Sequence, residues 1–419
     1  MSDNSPRSET LLPSPLPRAA QTAIERAMGV FPVVVVTGAR QTGKSTLVRA
    51  VPALRGRPYL SLDDPELRDQ ARRDPQSLLE RGTDLVLDEV QRAPDLLLTV
   101  KLAVDRDQPR RTGRYVLTGS ANLLLMERVS ESLAGRAYYL KLWPLTRRER
   151  HGLGKVGVWS ELLEAPVRDW PALIGAQDVP AEDWRHATEI GGLPVPAHEL
   201  QTREARALWF DGYVDTYLER DLQQLARIDD LGDFRRLLRA AALRVGTVLN
   251  QADLARDVAV PRPTAHRWLS LLETSFQIVR LPAFAVNRTK RLVKSPKLYF
   301  SDVGLARHLA GGEPTGAHLE NIVLCDLVAW RELTAPRPEI LHWRTFNQEE
   351  VDFVIEHGTS LVALEVKATA RPAYRDARHL QTFRAEYGSA VKGALLLHCG
   401  DETFWLSEDV LAVPWWRVV

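Results

Sequence analysis

Cysteine is nearly absent from this 419-residue sequence. The two that occur, Cys325 and Cys399, form no C-x-x-C pair. That excludes a disulfide framework and a cysteine zinc site, and it fits free thiols in a reducing compartment, hence a cytoplasmic protein. An excess of charge of one sign is also missing: 55 basic and 54 acidic side chains leave a formal net charge of +1. Whole-chain charge therefore gives no reason to expect nucleic-acid binding, which would need a local basic patch. No stretch approaches the ~20 apolar residues that span a membrane. The first residues, Met1-Ser2-Asp3-Asn4-Ser5-Pro6, lack the apolar run of a secretory signal. The Ser- and Pro-rich residues 1–16 are expected to form a disordered tail.

What is present is clearest near the start. Phe31-Pro32-Val33-Val34-Val35-Val36 is a β-branched apolar run of the kind found in strands buried on both faces of a parallel sheet. It runs directly into Gly38-Ala39-Arg40-Gln41-Thr42-Gly43-Lys44-Ser45, and Ser45-Thr46-Leu47-Val48 opens a helix. Strand, glycine loop and helix are the context that G-x-x-x-x-G-K-S requires. Glycines let the backbone turn its N–H groups inward toward phosphates, at a helix N-terminus that favours anions. This predicts an ATP site built by residues 38–46, with Lys44 on the β- and γ-phosphates and the Ser45 hydroxyl on Mg²⁺.

Asp84-Leu85-Val86-Leu87-Asp88-Glu89 predicts a second strand ending in two acids. Asp88 fits a Mg²⁺-holding role and Glu89 that of general base; an acid pair opening a helix is the plainer alternative. Arg114-Tyr115-Val116-Leu117-Thr118-Gly119-Ser120 predicts a third strand, whose carboxyl end lies at the ligand crevice of a parallel sheet. Ser120 or Thr118 would sense the γ-phosphate there, or Ser120 or Asn122 would merely cap a helix. No guanine-reading Asn-Lys-x-Asp occurs, which favours ATP over GTP.

These segments resemble a bacterial family of AAA-like ATPases with a C-terminal domain of unknown function. The resemblance continues through Tyr59-Leu60-Ser61-Leu62-Asp63-Asp64-Pro65, Leu87-Asp88-Glu89-Val90-Gln91, Ser132-Leu133-Ala134-Gly135-Arg136, Pro144-Leu145 with Glu149, and Tyr213 to Leu222. It implies ATP binding and hydrolysis but no particular substrate. Within it, Arg136 is the candidate γ-phosphate sensor or finger, acting in the same chain or in a neighbour; a surface arginine is the alternative.

Residues 151–233 are expected to form a helical adaptor, and 234–312 a winged helix. In the latter, Asn250 caps a helix over 251–257, Pro263 to Leu272 form the recognition-type helix, and Phe276–Leu281 and Lys297–Phe300 form the wing strands. The segment Arg288 to Lys297 has five basic residues and no acid, so it is expected to lie along DNA phosphates with Arg262, His266 and Arg267 facing the groove. The alternative is a solvated loop on a unit that binds protein.

In residues 313–419, Glu320 falls in an apolar helix and Asp352 in the strand Glu350–Ile355. A turn at His357-Gly358-Thr359-Ser360 leads to Leu364-Glu365-Val366-Lys367. Alternation puts Glu365 and Lys367 on one face, with Asp352 across the hairpin. An acid, a hairpin, then E-x-K resembles the PD-(D/E)XK nuclease core. The resemblance implies that Glu320, Asp352 and Glu365 hold Mg²⁺ and that Lys367 helps activate water, with Gln381 assisting. Half-buried charges that pair with one another are the alternative.

The expected architecture is thus an α/β, parallel-sheet P-loop NTPase domain over 17–150, the helical adaptor, the winged helix, and a small α/β restriction-endonuclease-like domain. The leading expectation is an ATP-regulated DNA-processing protein, in which oligomers are allowed and membranes are not. The alternative is an ATP-dependent switch or scaffold that binds protein partners.

Overall fold

The structure is a computed structural model that describes residues 15–120, 133–216 and 230–419. Most of the expected tail, Asn122, Ser132 and the stretch Tyr217–Leu222 lie outside the described residues.

The first unit is built on a parallel sheet of β1 (Val33–Thr37), β2 (Tyr59–Ser61), β3 (Leu85–Asp88), β4 (Tyr115–Thr118) and β5 (Ala137–Lys141), in the order β2-β3-β4-β1-β5. Every residue of β1, β3 and β4 is buried. That is why these runs are continuously apolar rather than alternating. Val33 and Val35 join a core on one face with Leu85 and Leu117, and Val34 and Val36 join one on the other with Ile24 and Leu47.

In the middle unit the helices Leu231–Ala242, Gln251–Asp257 and Arg262–Thr274 accompany an antiparallel sheet of β6 (Thr247–Val248), β8 (Lys297–Phe300) and β7 (Ile278–Leu281) in the order β6-β8-β7. Asn250 caps the second helix as the sequence predicts, its side chain accepting from the N–H groups of Ala252 and Asp253. Between β7 and β8 the basic segment is not an extended loop. Asn287 caps a short helix, Arg288–Val293.

The C-terminal unit is a mixed sheet of β9 (Glu339–Arg344), β10 (Glu350–His357), β11 (Ser360–Lys367), β12 (Val391–His398), β13 (Phe404–Ser407) and β14 (Val410–Pro414), in the order β13-β14-β12-β11-β10-β9. The helices Gly316–Leu333 and Arg378–Tyr387 pack on it. Gly358, in a left-handed conformation (φ 63°), supplies the two-residue turn between β10 and β11.

The expected adaptor packs closely on the C-terminal unit. Trp159, Trp170 and Trp184 are buried in the same core as Trp415 and Val418. Trp159 Nε1 donates to the Asp326 carboxylate, and Arg147 donates to the Trp416 carbonyl at 2.8 Å. A Cβ on Gly393 would come within 2.6 Å of the Trp170 ring. Large apolar side chains spaced along short helices need a partner surface, and here the C-terminal unit provides it. Trp159 and Trp170, in the first part of the expected adaptor, thus cover the C-terminal unit. Among the described residues no helix is long and apolar enough to cross a membrane.

Candidate functional site

β1 delivers the glycine loop to the carboxyl edge of its sheet. Gly38 has φ 152°, and a Cβ there would lie 2.3 Å from the Leu142 carbonyl oxygen, so the strand exit has room only for glycine. Gly43 (φ 87°) and Gln41 (φ 59°) are left-handed. Lys44, the first residue of its helix, is buried and folds back over the loop, donating to the carbonyls of Ala39 at 2.7 Å and Gly38 at 3.2 Å. Arg40 is half-buried, Thr42 is buried and Thr46 is exposed.

Asp88 ends β3 and is 4% exposed. Its carboxylate accepts from the hydroxyls of Ser45 (2.9 Å), Tyr59 and Thr118. Burial, then the bond to Asp88, pushes the Tyr59 phenol well above its usual range, so Tyr59 stays a donor. Glu89 follows in a left-handed conformation (φ 55°), which turns its side chain out of the strand pattern. Burial raises its carboxyl, while Lys44 and then Gln91 pull it down. Gln91 Nε2 donates both to Glu89 and, at 3.1 Å, to the Ser120 hydroxyl at the end of β4. The expected loop, Asp88, Glu89, Thr118 and Ser120 thus converge on one edge.

Arg136 does not join them. It precedes β5, its carbonyl accepting from Val33 N at the opposite edge of the sheet, and its guanidinium is paired with Asp105 (2.5 and 3.0 Å). A role as sensor within the same chain is corrected by this placement, because a residue that precedes a parallel strand lies at the edge away from the ligand crevice.

Tyr59 and Gln91 stand within recognisable motifs without a role, and Arg18 carries no signal. Phe276, expected to open a wing strand, precedes it in a left-handed conformation (φ 58°), the strand beginning at Ile278. Arg18 donates to the Thr42 carbonyl (2.9 Å) and the Trp143 carbonyl (2.7 Å) and pairs with Glu149 (3.1 Å), which ties the loop to the segment after β5. Phe276 of the middle unit packs on Ala39 of the loop and edge-on to Trp143. Only the neighbouring glycine loop gives these two residues meaning, and no local spacing announces it.

The second constellation lies in the C-terminal unit. Phe353 pairs with Leu364, so one step along the hairpin sets Asp352 opposite Glu365. Asp352 Oδ2 accepts from Val366 N at 2.9 Å, and Glu365 Oε1 accepts from Lys367 at 2.6 Å. Glu320 accepts from Tyr299 at 2.9 Å. Burial, then Asp352, pushes the Glu320 carboxyl up to about 8, and the same two causes raise Glu365 well above its ordinary value. The four expected members are brought to one region. However, among the described residues no group of three or more His, Cys, Asp or Glu is arranged to hold a metal ion. An ammonium stands among the carboxylates: Lys297 lies 3.1 Å from Asp352 Oδ1 and 3.4 Å from Glu320 Oε2, and also pairs with Glu350. As found, the donor set does not fit a metal.

The basic segment is likewise only partly free. Lys297 is 1% exposed, and Arg291 is buried and paired with Glu339 and Glu356, so neither faces a groove. Charge on a short helix against an acidic sheet edge is drawn inward. Lys290 and Lys294 remain exposed, as do Arg262, His266 and Arg267.

A glycine loop at the exit of a buried parallel strand, with a lysine inside it and an Asp-Glu pair beside it, defines an ATP-binding, AAA-type ATPase. Residues 30–151 match the AAA domain family, 181–316 the domain of unknown function DUF8612, and 315–418 the domain of unknown function DUF4143. Over 408 residues the chain is 32% identical to uncharacterised proteins of Mycobacterium bovis and Mycobacterium tuberculosis, covering 95% of this chain and 83% of each relative. The chain belongs to the same family as these mycobacterial proteins. Among solved structures, a Walker-type ATPase of Pyrococcus abyssi is 17% identical with a TM-score of 0.43, over 69% of this chain and 94% of that one.

Proposed function

We propose that the protein is a Mg²⁺-dependent ATPase whose nucleotide state is passed to a DNA-binding winged helix formed by residues 234–312. The donor set at the nucleotide loop suits Mg²⁺: one hydroxyl, Ser45, and one carboxylate, Asp88, already 2.9 Å apart. Few protein ligands are needed where water and phosphate oxygens complete an octahedron. Bound ATP with Mg²⁺ supplies the phosphoryl group and neutralises its developing charge.

The chain's own residues do the rest. Lys44 exchanges the Ala39 and Gly38 carbonyls for phosphate oxygens, and the loop N–H groups hold the phosphates in place. Glu89 accepts the proton of the attacking water; its raised carboxyl makes it a better base than an exposed glutamate. Gln91 fixes that carboxylate relative to Ser120.

The observation that carries the coupling is the packing of Phe276 on Ala39, a contact between the nucleotide loop and the middle unit. Two helices at winged-helix spacing and the exposed Arg262, His266, Arg267, Lys290 and Lys294 support DNA as the ligand of that unit. The 313–419 region is read as PD-(D/E)XK-like from Asp352, Glu365 and Lys367 on adjoining strands. Lys297 among its acids favours the second reading for that region, a switch without cleavage.

Anisotropy of labelled duplex DNA, titrated with protein in ADP and in a non-hydrolysable ATP analogue, tests the proposal. Salt-dependent affinity that differs between the two states is expected. Absence of any salt-dependent affinity in both would make the middle unit a protein-contact module.

A further inference from the structure

Lys297 opens β8 in the middle unit, at the end of a basic segment expected to lie along DNA phosphates, yet its side chain is 1% exposed. Its ammonium leaves its own unit and enters the C-terminal one. Asp352 and Glu350 approach it from β10 and Glu320 from the helix Gly316–Leu333. Tyr299, on the same face of β8, holds Glu320 from the other side. Three carboxylates on two elements converge on one nitrogen. Beside them Glu365 Oε2 is buried and accepts no hydrogen bond among the described residues.

An ordinary structural ion pair needs one acid. Burying several carboxylates around a single lysine is costly, and such pairs add little stability. The arrangement makes sense as a carboxylate site that suits a hard cation, with its central position taken by a side chain. A divalent ion and an ammonium cannot share it. Both draw on Asp352 Oδ1 and Glu320 Oε2, and a metal must approach those oxygens to within about 2.1 Å, against the positive charge of the lysine. Because the lysine is part of the chain, its local concentration at the site is high whatever the metal concentration outside.

We propose that Lys297 is the built-in cation of the C-terminal carboxylate site and excludes a divalent metal for as long as β8 is docked; this rests on the nuclease-like reading of Asp352, Glu365 and Lys367. The site is thereby held closed by a neighbouring unit rather than by loss of its acids. Opening it requires β8 to withdraw Lys297, and β8 is anchored at its far end next to Phe276, whose carbonyl accepts from the Ser301 hydroxyl at 2.6 Å.

The test is Mn²⁺ binding to the nucleotide-free full chain, read from the free-ion EPR signal, for wild type, Asp352→Asn, Lys297→Met, Lys297→Arg and the pair Lys297→Met with Asp352→Asn. Wild type and Lys297→Arg should show no Asp352-dependent site. Lys297→Met should gain one, at least about tenfold tighter than any residual Mn²⁺ binding of wild type that Asp352→Asn abolishes, a difference of about 1.4 kcal/mol. The double variant should lose it. Should Lys297→Met not fold, Lys297→Gln keeps a hydrogen-bond donor without the charge and is judged by the same criteria. Wild type already binding Mn²⁺ through Asp352 as tightly as the uncharged variant would overturn the exclusion and leave the metal-site reading standing. No Asp352-dependent binding in a folded uncharged variant would overturn both.

Discussion

Gln91 Nε2 donates to the Ser120 hydroxyl at 3.1 Å while also holding the Glu89 carboxylate, so one amide joins the carboxyl ends of β3 and β4. Asp88 is joined to the same strand end by Thr118. Glu89, the base in the proposed mechanism, and the Ser120 hydroxyl therefore cannot move independently.

Replacing Gln91 by alanine should leave ATP affinity unchanged and lower kcat about tenfold. A hydrogen bond to a charged group contributes about 1.5–3 kcal/mol, part of which water restores. The Gln91 bond lowers the Glu89 carboxyl, so its removal raises it, and the acid limb of the pH–rate profile should move to higher pH. A uniform loss at every pH, with the limb unmoved, would mark Gln91 as merely structural.

DNA binding should depend on the exposed cations only. Lys290→Ala with Lys294→Ala should reduce the slope of log affinity against log salt by about 0.9 for each phosphate that is no longer neutralised. Arg291→Ala should behave differently, lowering the melting temperature, because it removes the buried cation between Glu339 and Glu356, the latter keeping only the exposed Arg288 among the described residues. An Arg291→Ala protein of unchanged stability with a reduced salt slope would show that this arginine faces DNA after all.

Asp326 gives a pH dependence of stability. It is fully buried, and burial, opposed by the donors Trp159 and Gly157, pushes its carboxyl up to about 6 from 3.8. The folded state thus holds the proton more tightly than the unfolded chain. Its stabilising contribution is complete below about pH 4 and is lost as pH rises through about 6. Asp326→Asn keeps an acceptor for both donors and does not titrate. Its stability relative to wild type should improve by about 3 kcal/mol between pH 3 and pH 8, measured by urea unfolding. A difference that stays constant with pH would contradict this.

The nucleotide loop was legible because its information is contiguous: strand, glycines, Lys44 and Ser45 follow one another within a dozen residues. The Asp352–Glu365 pairing was legible because a two-residue turn fixes register. Lys297 was not, since its three partners lie in other elements and its sequence neighbours are Lys294 and Arg291. Arg136 was misplaced for a reason open to sequence alone. It immediately precedes a strand of a parallel sheet, and only residues that follow such strands reach the ligand edge. The partner surface of Trp159 and Trp170 was hidden because tryptophan spacing shows that a surface must be buried without showing against what.

Glu89 as the base of ATP hydrolysis is tested most directly by following ATP binding by calorimetry and cleavage by single-turnover assay in the same Glu89→Gln preparation. Binding within about twofold of wild type is predicted, since the substitution is isosteric and leaves every phosphate ligand in place, and cleavage slower by about 10²–10⁴-fold, the usual effect of removing a general base. Cleavage at the wild-type rate with binding intact would contradict it.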